Sequence, residues 1–519
     1  MQKTYALFGE HNMNLLDMIF AVYILILVTL FIYGSNCFVL TYLKRTKKKE
    51  KPDNLTFYPK VTVQLPVYNE LYVVERLIRK VAQMDYPVQN LEIQVLDDST
   101  DDTTGIIQRC ISELLNEGYI INHIHRTQRD GYKSGALRNG LRYASGEFIA
   151  VFDADFLPNG DFLKKSIPYF SDPKVGMVQA RWGHINEDYS LLTKAIAIGI
   201  DGHFQIEQNS RYSSGLFLNF NGTAGVWRRT TIEGSGGWQD DTLTEDLDLS
   251  YRAQLGGWRL VFLDDVVCPA EIPVQINAFK RQQFRWAKGS MQCTKKLLPE
   301  LLSADISVFK KFQALVHLTY YAVHPMMVIL LLLLLPLNLL ASPTFSNLFY
   351  LNFLSISTFG PITMYVLAQR DLYKGWKSRL KYLPILIFLG AGISANNTKA
   401  VVEALLNRTS TFQRTPKFGI EKNSDEWKEK KYKLNLPTIT VIEAGLGIYA
   451  LIALFVSLKN GSYFLAPFLV LYVVGYFYVS GLTVLHSIPR YMYPKLAIAC
   501  ILISALALGL YRAMMGEPF

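Results

Sequence analysis

Four clusters in this 519-residue chain carry side chains that could work together on a charged, hydroxyl-rich substrate. Asp153-Ala154-Asp155 places two carboxylates on alternate positions after an apolar run, a way to hold a hard divalent cation that also binds a nucleotide diphosphate. Asp97-Asp98-Ser99 reads either as an Asx turn or helix cap, or as a second acidic edge of a binding site. Thr244-Glu245-Asp246 opens the helical stretch LDLSYRAQL, which Gly256 and Gly257 end. Thr244 could simply cap that helix with the acids favoured by its dipole; alternatively Asp246 is a general base for an attacking hydroxyl. Gln282, Arg285 and Trp286, at i, i+3 and i+4, share one helical face. Together they offer an amide, a guanidinium fork suited to phosphate and an indole plate suited to the apolar face of a pyranose.

These clusters need a scaffold, and the hydrophobic pattern supplies one. VTVQLPVY (61–68), LEIQVLDD (91–98), YIINHIHR (119–126) and EFIAVFDAD (147–155) read as strands, with helical VVERLIRKVAQM and TTGIIQRCISELLNEG between the first three. Strand and helix alternating in this way predict an α/β domain with a mixed, largely parallel sheet. Ligands of such sheets bind beyond the carboxyl ends of the strands, where Asp97, Asp98, Asp153 and Asp155 fall.

The chain is 50% hydrophobic and 18% charged, with net charge +10, and its apolar segments lie towards the two ends. Residues 18–43 carry no charge and are long enough to cross a bilayer of about 30 Å. The basic cluster Lys44–Lys51 follows them directly, reads as a cytosolic anchor, and argues against a nucleic-acid partner. Further spans are expected at 314–340, 348–368, 436–458, 463–486 and 495–512, making six with both termini outside. Segment 382–406 is apolar in its first half, but Asn396, Asn397, Lys399 and Glu403 make the second half amphipathic. Basic loops flank it on both sides, so it reads as an interfacial or re-entrant helix. The expected domains are residues 1–51 (anchor), 52–312 (cytosolic α/β domain) and 313–519 (membrane region with a loop at 407–435). Cys37, Cys110, Cys268, Cys293 and Cys500 lack CxxC spacing, which gives neither a zinc site nor a disulfide framework.

Taken together and in order, LPVYNE, QVLDDSTD, GYKSGALRNG, DADF, FNGTAGVWRR, TED and QQFRW make the chain resemble a family 2 processive glycosyltransferase of the cellulose synthase superfamily. The wording is closest to the cellulose synthase-like A and C branches, which make mannan or glucomannan backbones and the xyloglucan glucan backbone. The resemblance covers roughly residues 58–310 closely and the membrane part loosely. It implies a GT-A-type domain set among transmembrane helices and an inverting transfer that polymerises a β-linked glycan and passes it across the membrane. The implied donor is UDP-glucose, with GDP-mannose as the alternative, and the implied cofactor is Mg²⁺ or Mn²⁺. By the same resemblance Asp97 or Asp98, Lys133, Asp153 and Arg285 bind the donor, Asp153 and Asp155 hold the metal, and Asp246 is the catalytic base. Gln282, Trp286 and Glu245 meet the acceptor glycan. Phe412, Arg414, Thr415 and Lys417, in FQRTPK, are similar to an FxVTxK gating loop, departing from it at Arg414 and Pro416. A multi-pass protein of the plasma membrane, or of the Golgi in a eukaryote, is the expected setting. The competing reading is a non-processive transferase adding one sugar to a membrane lipid such as a ceramide, diacylglycerol or polyprenyl phosphate.

Overall fold

The computed structural model describes residues 15–44, 52, 57–340, 354–410 and 412–488. Seven strands, β1 Val61–Val67, β2 Leu91–Asp97, β3 Ile121–His125, β4 Phe148–Val151, β5 Val175–His184, β6 Gly225–Arg228 and β7 Arg259–Ala270, form one sheet. Their order is β3-β2-β1-β4-β6-β5-β7. β1 pairs parallel with β2 and β4, β2 with β3, and β5 with β7, whereas β6 runs antiparallel between β4 and β5. This is the mixed, mostly parallel sheet of a GT-A-like fold.

Both faces of the sheet are covered, which explains why its strands carry long apolar runs. Val61, Val63 and Leu65 point to the side packed by Val74, Leu77, Ile78 and Val81 of helix Val74–Ala82. The intervening Thr62 and Gln64 are equally buried, and the register places them opposite Glu92 and Gln94 on β2. Thr62 donates to Glu92 at 2.7 Å and Gln64 Nε2 to Gln94 at 3.0 Å, so these donors find their partners within the sheet.

The six expected spans are corrected. Among the described residues four helices are long and apolar enough to cross a membrane: Leu16–Leu43, Tyr320–Leu340, Ile439–Lys459 and Tyr463–Ser487. A fifth is possible if Trp376–Gly392 and Ser394–Leu405, bent by 41° at their junction, make one broken span. The helix at the expected 348–368 span is Phe359–Leu372, only 14 residues and about 21 Å long. Residues 348–353, the 495–512 span and most of the Lys44–Lys51 cluster lie outside the described residues.

The polar stripe of segment 382–406 also has a different use from the expected one. Asn396 and Asn397 are buried; Asn396 Nδ2 donates to the Lys280 carbonyl and Asn397 Nδ2 lies 3.0 Å from His324 Nε2. Glu403 pairs with Lys288 at 2.9 Å. Asn396, Asn397 and Glu403 therefore face helix Ile276–Ser303 and the Tyr320–Leu340 helix, while Lys399 is exposed. A second ion pair, Lys280–Glu443 at 2.6 Å, is buried on both sides and ties the same helix to the Ile439–Lys459 helix. Such a charge among apolar helices is tolerated because its partner neutralises it.

Candidate active site

The strand ends, helix Glu245–Leu255, helix Ile276–Ser303 and the loop around Phe412 enclose one cavity of about 160 Å³. Asp98, Lys133, Asp153, Asp155, Glu245, Asp246, Gln282, Arg285, Trp286, Phe412, Arg414, Thr415 and Lys417 all line it. Residues from positions 98 to 417 thus meet although no local pattern joins them.

Asp246 stands one residue inside helix Glu245–Leu255. Thr244 makes no side-chain cap bond; its hydroxyl lies 3.4 Å from Cys293 Sγ, so capping does not account for this cluster. Gly289 of the next helix makes the approach possible, since a Cβ there would come within 2.5 Å of Thr244. Asp246 accepts from the Leu247 amide at 2.8 Å. Burial and then the neighbouring Glu245 carboxylate push its pKa up to about 7, against the opposing pull of Lys133 and Arg285. A base must be ionised to take a proton, so kcat/KM is expected to rise about tenfold per pH unit below 7 and to level off above it. Glu245→Gln removes one of the raising charges and should shift that rise to lower pH. A pH–rate profile of the two forms checks both statements, and an identical profile in the variant would contradict the second.

Lys133 and Asp153 meet at 2.5 Å, and the same ammonium donates to the Gly222 carbonyl at 2.8 Å and lies 3.8 Å from Glu245. Burial lowers the Lys133 ammonium, but Asp153 and Glu245 outweigh it and hold it above its ordinary value. Gly222 has φ +81°, and a Cβ on it would sit 2.9 Å from Asp246 Oδ2. Arg285 is shifted down by burial against the attraction of Glu245, Asp153, Asp246 and Asp155, so it faces the whole acidic group.

The Asp97–Asp98 pair separates cleanly. Asp98 lines the cavity and is gripped by Arg126 through a fork, Nε to Oδ1 at 2.7 Å and Nη2 to Oδ2 at 2.6 Å. Asp97 is fully buried and does not line the cavity, which leaves Asp98 as the member of the pair at the site. Its Oδ1 accepts from the Ser99 amide, the Asx turn foreseen as the alternative. Its Oδ2 accepts from Thr104 Oγ1 and lies 3.1 Å from both His123 Nε2 and His125 Nδ1. The ligand atoms of this Asp-His-His trio lie within 4.8 Å of one another, a spacing that could also hold a metal.

Asp153 and Asp155 offer hard oxygen donors on one edge of the cavity, a set that fits Mg²⁺ or Mn²⁺. Asp155 here pairs with Lys417 at 2.5 Å. Lys417 also donates to the Glu271 carbonyl, while the Glu271 carboxylate accepts from the Phe418 and Gly419 amides at 2.8 and 2.9 Å. Phe418 and Ile420 pack with Val274 and Trp427, so the stretch from Thr415 to Ile420 is built into the wall. Ahead of it Arg414 pairs with Glu70 at 3.1 Å, a carboxyl that burial raises to about 8. Phe412 stacks on Tyr132 at 5.6 Å and lies under Arg285 at 4.9 Å.

Sequence reading missed Glu70, Arg129, Trp182, His184 and Glu271, all of which line the cavity. Arg129 sits 3.4 Å over the Tyr68 ring, so the LPVYNE segment brings Tyr68 and Glu70 to the cavity wall. Trp182, His184 and Glu271 reach the site only through the β5–β7 pairing.

Residues 59–289 match the family described as "Glycosyltransferase like family 2". The probable glucomannan 4-beta-mannosyltransferase 7 of Oryza sativa subsp. japonica is 42% identical over 264 residues, 50% of this chain and 45% of that protein. The chain therefore spans less than half the length of this relative. Among solved structures, the mannosyltransferase PcManGT of Pyrobaculum calidifontis, in complex with GDP-Man and Mn²⁺, aligns with TM-score 0.55 and 21% identity. That alignment covers 75% of this chain and 100% of the other and is a likeness of fold. TarS of S. aureus aligns at TM-score 0.34 and 16% identity over 66% of this chain and 55% of its own.

Proposed function

We propose that this chain, whose residues 59–289 form a family 2 glycosyltransferase domain, transfers mannose from GDP-mannose onto a β-linked glycan and extends it processively. The observation that carries the reading is the meeting of Asp246, Arg285, Lys133 and the Asp153–Asp155 edge with Gln282 and Trp286 in one cavity. The donor preference moves from UDP-glucose to GDP-mannose because the rice relative, similar at 42% identity, is named a mannosyltransferase.

The acceptor hydroxyl gives its proton to Asp246 as its oxygen attacks the anomeric carbon, and the nucleoside diphosphate leaves from the opposite face. Bond making and breaking on opposite faces turn an α-linked donor sugar into a β-linked product. Arg285 and Lys133 are the cations that meet the charge appearing on the departing diphosphate. Asp153 and Asp155 would hold Mg²⁺ or Mn²⁺, which when bound supplies further neutralisation of that charge. Gln282 and Trp286 hold the acceptor end, and Phe412 with Arg414 closes the cavity against water.

Helix Ile276–Ser303 carries these acceptor residues directly to the apolar helices: Met291 packs with Val401 and Ala404, and Tyr321 lies against that cluster. This supports a glycan leaving the site into the membrane region. Labelled GDP-mannose and UDP-glucose supplied to purified protein test the reading. Long ethanol-insoluble product from GDP-mannose supports it, whereas organic-extractable product would mean a lipid acceptor. Trp286→Ala should reduce chain extension about tenfold or more while sparing hydrolysis of the donor by water, since stacking on the acceptor is worth about 1–2 kcal/mol. Equal loss of both would contradict an acceptor role.

A further inference from the structure

Trp182 and His184 stand two residues apart on β5, so their side chains leave the same face of the strand, and both line the cavity. Each carries a buried ring nitrogen without a hydrogen-bond partner in the chain, Nε1 of Trp182 and Nδ1 of His184. Buried polar atoms are ordinarily paired, so two orphans on one wall of a site point to a ligand that pairs them.

Their hydrogen-bonding characters differ. The indole N–H of Trp182 can only donate. His184 is fixed by its other nitrogen, because Nε2 lies 2.8 Å from Asp201 Oδ1 and the His184 side chain is only 4% exposed. Asp201 also accepts from Gln369 Nε2 at 2.9 Å and from the Tyr373 hydroxyl at 3.1 Å, and Arg379 stands 3.7 Å away. Burial raises the Asp201 carboxyl, but His184, Gln369 and Arg379 outweigh it and keep it ionised. With Nε2 as the donor to that acceptor-only carboxylate, the neutral His184 ring carries its lone pair on Nδ1. One strand face therefore offers a donor and an acceptor side by side, the complement of sugar hydroxyls, which both donate and accept. Packing keeps the pair rigid: Trp182 lies edge-on to Phe156 at 5.0 Å and against Phe204 at 5.1 Å.

We infer that Trp182 and His184 form a hydroxyl-binding pair for the acceptor saccharide, with Asp201 as the positioning residue that sets the His184 tautomer. The acceptor side is indicated by packing. Ile200, next to Asp201, lines the cavity, and Leu192, Ile196 and Ala197 of its helix pack with Ile276 and Phe279 at the start of the helix that bears Gln282 and Trp286. The inference rests on the transferase reading above and adds to it a subsite for the sugar.

The test measures binding of β-1,4-mannotetraose, and of analogues with single hydroxyls replaced by hydrogen, to the full-length protein by calorimetry. Wild type should bind the parent and lose about tenfold in affinity for at least one deoxy analogue. Trp182→Phe and His184→Phe keep ring volume and should each bind the parent about tenfold more weakly, with GDP-mannose affinity within about twofold of wild type and no further penalty for that analogue. Asp201→Asn can donate to Nε2 and turn a proton on Nδ1 toward the cavity, so it should weaken the parent and alter the ranking of the analogues. Wild type that binds no tetraose, or binds every analogue equally, overturns the inference, and this arm does not depend on any variant folding. Parent affinity unchanged in both Phe variants also overturns it. If the tetraose is bound and discriminated but no mannose is transferred, the inference stands and the transferase reading falls; transfer with unchanged Phe variants gives the reverse.

Discussion

Asp246→Asn should lower glycosyl transfer by about 10²-fold or more while leaving nucleotide binding in place. The amide keeps the volume of the carboxylate, and its oxygen can still accept from the Leu247 amide, so the start of helix Glu245–Leu255 is retained. What is lost is the proton acceptor. The proposed donor contacts lie on other elements, with Asp98 beyond β2, Lys133 on helix Tyr132–Tyr143 and Asp153 beyond β4, so donor affinity should not follow activity. Initial rates with labelled donor, set beside nucleotide affinity from calorimetry, separate the two. Near wild-type turnover would remove Asp246 from the mechanism.

Gly222→Ala should be nearly as damaging although it deletes no functional group. At φ +81° an alanine is strained by about 1 kcal/mol, and its Cβ would press on Asp246 Oδ2 at 2.9 Å and reach Lys133 Nζ at 3.4 Å. The Gly222 carbonyl also accepts from Lys133, so the base and the donor-side cation are both displaced. A shift of about 1 Å in reacting groups costs about 10²-fold in rate. The expected result is that loss in kcat/KM with a Tm only a few degrees lower. An alanine variant of full activity would show that the FNGTAG turn does not set the position of Asp246.

The half of the sheet made of β1 to β4 was legible because its strands are short runs rich in Val, Ile, Leu and Phe, and helices of 3.6 periodicity separate the first three. β6 lies antiparallel between β4 and β5 and its sequence GVWR has no apolar run of its own, so no pattern announces it. β7 carries Asp264 and Asp265 in mid-strand, and the register steps from Ala180↔Leu263 to Arg181↔Val267 because residues 264–266 bulge out. That bulge hides the strand from an alternation test and also sets the ends of β5 and β7, where His184 and Glu271 face the cavity. The motif residues were legible because chemistry needs them at fixed spacings, as with Gln282, Arg285 and Trp286 on one helical face. Asp97 could not be told from Asp98 by sequence, since only the strand's facing decides which carboxylate looks into the cavity. The polar residues of segment 382–406 do not by themselves tell what they face, since Asn396 and Glu403 are as polar against a neighbouring helix as against water.

A single displacement with Asp246 as base fixes the anomeric configuration of the newly formed bond. Product made from GDP-α-mannose should show β linkages by NMR coupling and be degraded by a β-mannanase. Product with α linkages, resistant to that enzyme, would contradict the account.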